Sequence, residues 1–264
     1  MSETPKIDWL VLFPGDLQIG NLHSDVPGFQ KCVKKAILEY NPRELWIIFV
    51  GDLIENSSKY RTQIYKIFNV EPLYVQLEYL REILNEIVAF AKHHVEEIKI
   101  RAVLGNHDLT FHTGNIIRER DFDFDFKIYW DYLILKIGEK RYLVIHAVDG
   151  KSSGSYLTGW SGYLLEQAKK LLDEYQCDVI ITAHTHRPLI ADISKDGRRY
   201  IMVPSFLSGN REGFLNQLFV VTPFGTNIIE EKKNDPRYLE SYNINEMNKI
   251  LEKRKIEGYE EVSK

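Results

Sequence analysis

Five strand-like runs in this chain lead directly into residues that do chemistry. Residues 8–13 run through Pro14 into Gly15-Asp16-Leu17-Gln18, and Trp46-Ile47-Ile48-Phe49-Val50 runs into Gly51-Asp52. Residues 98–104 precede Gly105-Asn106-His107-Asp108, Tyr142 opens a run that ends on His146, and Val179–Thr182 precedes Ala183-His184-Thr185-His186. Short continuous apolar runs read as strands buried on both faces. In open α/β sheets, ligands gather at the carboxyl ends of such strands. The glycines permit the sharp turns that deliver the next side chain to the sheet edge.

Helix-like segments separate these strands. Residues 29–40 are helical in pattern and stop at Asn41-Pro42. Leu73, Leu77, Leu80, Leu84, Ile87, Val88 and Ala91 fall on one face of a long helix, and Leu164, Leu165, Ala168, Leu171 and Leu172 mark another. Later strands are expected at 132–137 and 142–146, joined by a hairpin turn at Gly138-Glu139-Lys140, and at 200–203 and 218–221. Strands alternating with helices, followed by hairpin-linked strands, imply an α/β protein with mixed sheets. The composition divides the chain into a domain over 1–229 and a polar tail over 230–264. In that tail Ile244, Met247, Ile250 and Leu251 mark one short amphipathic helix, either packed on the domain or forming a homodimer contact.

Bulk properties exclude several classes. The formal charge is 34 − 38 = −4, which argues against a tight, strongly basic nucleic-acid clamp and leaves room only for weak nucleic-acid contact. Two distant cysteines, Cys32 and Cys177, make neither a disulfide framework nor a zinc knuckle and fit a reducing cytoplasm. The first residues lack the apolar stretch of a signal peptide, and no run approaches the roughly 20 apolar residues of a membrane helix, so no membrane partner is expected.

Asp16, Asp52 and Asn106 supply oxygens; His146, His184 and His186 supply imidazoles. This mixed set suits two divalent cations such as Mn, Fe, Zn, Co or Ni better than Ca or Mg alone. Two metals can hold a phosphate, activate water and stabilise a leaving oxygen. In order and spacing the motifs resemble the calcineurin-like metallophosphoesterase superfamily over about residues 7–225. That resemblance implies an α/β fold, a four-layer αββα sandwich of two mixed β-sheets flanked by helices. It puts Asp16, Gln18, Asp52 and His186 on one metal and Asp52, Asn106, His146 and His184 on the other, with Asp52 bridging. It makes His107 a catalytic histidine that faces substrate, with Asp108 orienting the imidazole by a hydrogen bond. It implies in-line hydrolysis of a phosphodiester, in nucleic acid or a nucleotide, by a hydroxide that bridges the metals.

The chain departs from the family pattern at two places. Position 18 is Gln where the family usually has His; an amide is the weaker ligand, so the first metal site is expected to be looser, or to coordinate through water, and to favour Mn. Members resembling Mn-dependent ADP-ribose and CDP-alcohol diphosphatases also carry Gln there, which keeps a nucleotide diphosphatase as an alternative. A phosphomonoesterase and a non-catalytic scaffold are the remaining readings. His23 either substitutes as a ligand or is a loop histidine. Glu55-Asn56 replaces the Asp-Arg of the family's protein phosphatases and argues against that activity. For substrate, Lys59, Tyr60 and Arg61 after the second motif either grip a phosphate or nucleotide, with Tyr60 stacking on a base, or form a solvated insertion. Arg118-Glu119-Arg120 has the same two readings, His112 either lines the pocket or does not, and the Gly/Ser-rich stretch 149–162 is either a mobile rim or an ordinary loop.

Overall fold

The computed structural model describes residues 5–55, 73–110, 114–115, 117–148, 160–195, 197–208 and 215–256. The first sheet has the order β13 (Gly225–Lys232), β12 (Leu215–Thr222), β1 (Ile7–Phe13), β2 (Pro42–Phe49), β3 (Glu97–Val103), β6 (Phe126–Tyr129). Its parallel centre is β1, β2, β3 and β6. Strands β12 and β13 add antiparallel on one side. The second sheet, β10-β11-β9-β8-β7, is also mixed. It contains the hairpin β7 (Tyr132–Ile137) and β8 (Lys140–Ile145), then β9 (Val179–Thr182), β10 (Leu189–Asp192) and β11 (Arg199–Met202). A two-residue pair, β4 (Leu109–Thr110) and β5 (Gly114–Asn115), lies apart from both.

Strand alternation sorts the side chains into three cores. Val11, Phe13, Ile48, Val50 and Val103 from the first sheet meet Leu133, Val144, Ile181 and Ile201 from the second. Their sequence neighbours point outward. Leu10, Leu12, Ile47, Phe49 and Ile100 pack under α1 (Val26–Tyr40) and α2 (Leu73–Lys92). Leu143, Ile180, Tyr200 and Met202 pack under α3 (Trp160–Tyr175). The result is the four-layer sandwich, helices outside two mixed sheets. Each fully buried Leu, Ile or Phe contributes about 1.5–3 kcal/mol, so all three cores are substantial.

The long helices end where local chemistry stops them. Asp25 caps α1 by accepting the Gly28 N–H at 2.9 Å, with Pro27 in the first turn. At the other end Asn41 turns left-handed at φ 44° and returns its N–H to the Ile37 carbonyl, after which Pro42 begins β2.

The C-terminal region is built into this frame. Strand β13 runs through the 229/230 boundary drawn from composition, paired residue by residue with β12. The helix beyond it, α4 (Pro236–Ile256), spans 21 residues and is longer than the short amphipathic helix expected around Ile244–Leu251. Met247 and Ile250 are buried in the first sheet's outer core, where α4 lies against α2; Leu239 is also buried, whereas Ile244 is exposed. Polar composition here reflects an edge strand and a helix with one narrow buried stripe. Among the described residues no helix is long and apolar enough to cross a membrane.

Candidate metal centre

The loops after β1, β2, β3, β8 and β9 converge at one end of the sandwich. Two buried carboxylates, Asp16 at 0% and Asp52 at 1% exposure, stand at its centre. Each uses one oxygen to tie loops together. Asp16 Oδ1 accepts the His184 N–H at 3.2 Å, and Asp52 Oδ1 accepts the His107 N–H at 2.8 Å. The second oxygen of each, Asp16 Oδ2 and Asp52 Oδ2, is buried and accepts no well-aligned hydrogen bond among the described residues; only imidazole nitrogens approach it. Buried carboxylate oxygens left this way are costly unless a cation completes them.

Imidazoles surround those oxygens. His146 Nε2 lies 3.1 Å from Asp52 Oδ2, 3.2 Å from His184 Nδ1 and 3.2 Å from Asn106 Oδ1. Ligand atoms of Asp52, His146 and His184 all fall within 4.8 Å of one another. Donors held about 2.0–2.2 Å from a common ion stand roughly 3 Å apart, so the spacing fits a divalent cation. His146 Nδ1 donates to the Val50 carbonyl at 2.8 Å, which aims the Nε2 lone pair inward. A second group adjoins the first. His186 Nε2 is 2.9 Å from Asp16 Oδ2 and 3.5 Å from Gln18 Nε2; rotating the amide presents its oxygen instead.

Electrostatics follow from this crowding. Burial pushes the Asp52 carboxyl up, but the neighbouring His146 and His107 outweigh it and hold Asp52 well below the usual carboxylate range. Burial alone would lower His146, yet Asp52 overrides it and pushes the imidazole up to about 10. Burial, then the charge of His146, lowers His184. A cation on the Asp52–His146 pair would displace the proton they hold.

Backbone strain marks the same place. Of six non-glycine residues with positive φ among those described, four are Gln18 at 47°, Asp52 at 51°, His184 at 70° and His186 at 62°. Each costs about 1–3 kcal/mol and persists only where its surroundings enforce it. The glycines serve close approach as well as turning. A Cβ on Gly105 would lie 2.0 Å from Asp52 Oδ1, and one on Gly51, at φ +98°, would lie 2.3 Å from His146 Nδ1.

His107 also reaches the centre, with Nε2 4.0 Å from Asp52 Oδ2. Its orientation does not come from Asp108, the residue expected to supply it. Asp108 turns Oδ1 to the Leu53 and Ile54 N–H groups at 2.9 and 3.2 Å and Oδ2 to the Gly105 N–H at 2.9 Å. Burial, then the charge of Asp52, raises the Asp108 carboxyl to about 7. Asp108 therefore joins the second and third loops. His107 Nδ1 instead donates to the Glu55 carbonyl at 2.7 Å, with the buried Glu55 Oε1 at 3.6 Å. Glu55 was missed as a site residue; its place three positions after Asp52 was the signal available. Of the two readings of His23 the loop histidine holds, because Nε2 sits 2.9 Å from Glu240 Oε1 on α4. Arg118-Glu119-Arg120 lies along β6, where Glu119 accepts the Ile128 N–H at 2.8 Å. Lys59, Tyr60, Arg61, His112 and positions 149–159 of the Gly/Ser-rich stretch lie outside the described residues.

A sequence model of the calcineurin-like phosphoesterases matches residues 15–188 of the chain. No curated protein sequence matches it. Among solved structures, a hypothetical protein from Pyrococcus horikoshii OT3 aligns at TM-score 0.52 and 14% identity, covering 89% of this chain and 92% of that one. The Vacuolar Protein Sorting 29 protein of Cryptosporidium parvum aligns at TM-score 0.43 and 16% identity, covering 87% and 100% of the two chains. A structure described as a novel archaeal phosphodiesterase aligns at TM-score 0.43 and 12% identity, covering 84% and 99%.

Proposed function

The chain belongs to the calcineurin-like phosphoesterase family, and on that premise we propose that it is a divalent-metal-dependent hydrolase of phosphodiester bonds in a nucleic-acid or nucleotide substrate. The observation that carries the proposal is the pair of buried carboxylate oxygens, Asp16 Oδ2 and Asp52 Oδ2, approached among the described residues only by imidazoles, His186 at 2.9 Å and His146 at 3.1 Å among them. Asp16, Gln18, Asp52 and His186 would hold one ion, and Asp52, Asn106, His146 and His184 the other. The amide at position 18 favours Mn. When bound, two such ions lower the pKa of coordinated water and neutralise charge on the phosphate oxygens.

The protein's own groups do the rest. His107 presents Nε2 to the site because Nδ1 is committed to the Glu55 carbonyl. From there it donates a proton to the leaving oxygen. Asp108 fixes the relative position of the loops that carry Asp52 and Asn106. A second reading, hydrolysis of a nucleotide diphosphate, is favoured by Gln18 standing where His is usual.

The test is hydrolysis of bis-p-nitrophenyl phosphate against p-nitrophenyl phosphate, with Mn supplied after chelator stripping. Diester preference supports the proposal. Monoester preference overturns the phosphodiesterase assignment. Inactivity on both, with turnover of a nucleotide diphosphate, moves the protein to the second reading.

A further inference from the structure

We infer that α4 braces the loop carrying Gln18 and that Asn243 is its positioning residue, an inference that rests on the metal-centre reading above. The loop over residues 17–25 is held in two halves. The front half is stitched to the second motif, where the Leu17 and Gln18 N–H groups donate to the Asp52 carbonyl at 3.1 and 2.9 Å and the Ile19 N–H to the Leu53 carbonyl at 2.9 Å. The back half folds under the front. The Asn21 N–H donates to the Gln18 carbonyl at 2.9 Å, and Ser24 Oγ donates to the Leu17 carbonyl at 2.6 Å.

Helix α4 grips this back half at three consecutive residues. The buried Asn243 side chain donates through Nδ2 to the Leu22 carbonyl at 2.8 Å and the Ser24 carbonyl at 2.9 Å. One turn earlier, Glu240 holds His23 Nε2 at 2.9 Å. Ser24 then passes the constraint to Leu17, next to Gln18. The main chain of this half is also tied to the segment after β11, through Asp25 N–H to the Phe206 carbonyl at 2.6 Å and Ser208 N–H to the His23 carbonyl at 2.9 Å. Loss of the α4 contacts therefore loosens the loop without unfolding it.

The brace matters because of what it holds. Gln18 sits at φ 47°, a conformation that its surroundings must enforce. An amide is also a weaker ligand than the imidazole usual at this position, so its contribution depends on being placed in advance. A helix outside the motif-bearing region supplies that placement.

Three variants of the full-length chain test this. Asn243→Asp keeps shape and removes both donors. Glu240→Gln weakens only the His23 contact. Ile250→Ala cuts α4 packing about 10 Å further along the helix without touching the loop. In metal-free protein, the Asn21 and Ser24 amides should exchange at least about tenfold faster in Asn243→Asp, less so in Glu240→Gln, and at the wild-type rate in Ile250→Ala. Calorimetric titration with Mn should show the weaker of two sites loosened by about tenfold in Asn243→Asp and the tighter site kept, the size seen for residues one step behind a metal ligand. Ile250→Ala should lower Tm alone. Equal effects of Ile250→Ala and Asn243→Asp, or wild-type exchange and affinity in Asn243→Asp, would overturn the inference. Should the wild-type protein take up no Mn, the metal-centre reading fails, and amide exchange alone decides the brace. Should Asn243→Asp not fold, Glu240→Gln decides it by the same two readouts.

Discussion

Asp25 and Asp52 are both buried carboxylates, and their surroundings are opposite. Asp25 meets four donors, the Gly28 N–H at 2.9 Å, Asn216 Nδ2 at 2.7 Å, and the Asn234 N–H and Nδ2 at 2.9 and 2.7 Å. Both of its oxygens are used, and it pins α1, β12 and the segment before α4 together. Among the described residues Asp52 has one backbone donor, on Oδ1, while Oδ2 faces only imidazoles, His146 at 3.1 Å and His107 at 4.0 Å. Asp16 repeats the Asp52 pattern. The number of filled lone pairs on a buried carboxylate thus separates a residue that holds the fold from one that waits for a cation.

The sharpest way to break this contrast is to remove the charge at each place. Asp52→Asn should lower the proposed metal-dependent phosphoesterase turnover by at least about a thousandfold, beyond the 10–100-fold typical one step behind a metal. Metal-free stability should change little, since His146 goes neutral rather than remaining charged and alone. Next, His107→Ala should reduce turnover by about 10²–10⁴-fold with metal content intact by elemental analysis. Unchanged turnover would remove His107 from the mechanism.

Asp25→Ala should do the reverse, costing on the order of 3–5 kcal/mol in denaturant unfolding because it strands several buried donors. The fraction that stays folded should still bind Mn. If Asp25→Ala abolished metal binding at unchanged stability, the distinction between the two carboxylates would fall.

The smallest expected effect concerns a buried ionisable group outside the metal centre, the Cys32 thiol. Burial in α1 pushes the Cys32 thiol from 9.0 up to about 12. Because the folded value is the higher one, its stabilising contribution is whole below about pH 9 and fades as pH rises through about 12. At pH 8 native protein should therefore leave Cys32 unlabelled by a thiol reagent, and urea should expose it. Rapid labelling without denaturant would contradict its burial.

The readable part of the fold is the part with doubly buried strands. β1 from Trp9 onward, the second half of β2 and β9 are continuous apolar runs, and β3 alternates apolar with charged residues before ending on Ala102-Val103, so their places follow from sequence. The first half of β2, Pro42 to Leu45, is half polar and reads as loop. Three edge or near-edge strands, β6, β10 and β13, gave no signal, since FKIY, LIAD and GTNIIEEK each present one face to water. In α4 the buried stripe is Leu239, Asn243, Met247 and Ile250, and the polar Asn243 within it breaks the apolar periodicity. Ile244, by contrast, suggests a face that the structure leaves exposed.

At the centre, the motif residues were legible because Asp, Asn and His at strand ends have little packing value. What joins them was not. Asp108 turned out to bind three backbone N–H groups, and Glu55 turned out to hold His107 through a main-chain carbonyl. Neither contact follows from residue type, because both depend on how two loops cross. The same holds for Gly105, whose missing Cβ makes room for Asp52 rather than merely for a turn.

The most direct measurement is a crystal structure grown with Mn, with anomalous scattering collected at the Mn edge. The account predicts two peaks, one among Asp52 Oδ2, His146 Nε2 and His184 Nδ1, the other beside Asp16 Oδ2 and His186 Nε2. Peaks elsewhere, or none at these oxygens under saturating Mn, would contradict it.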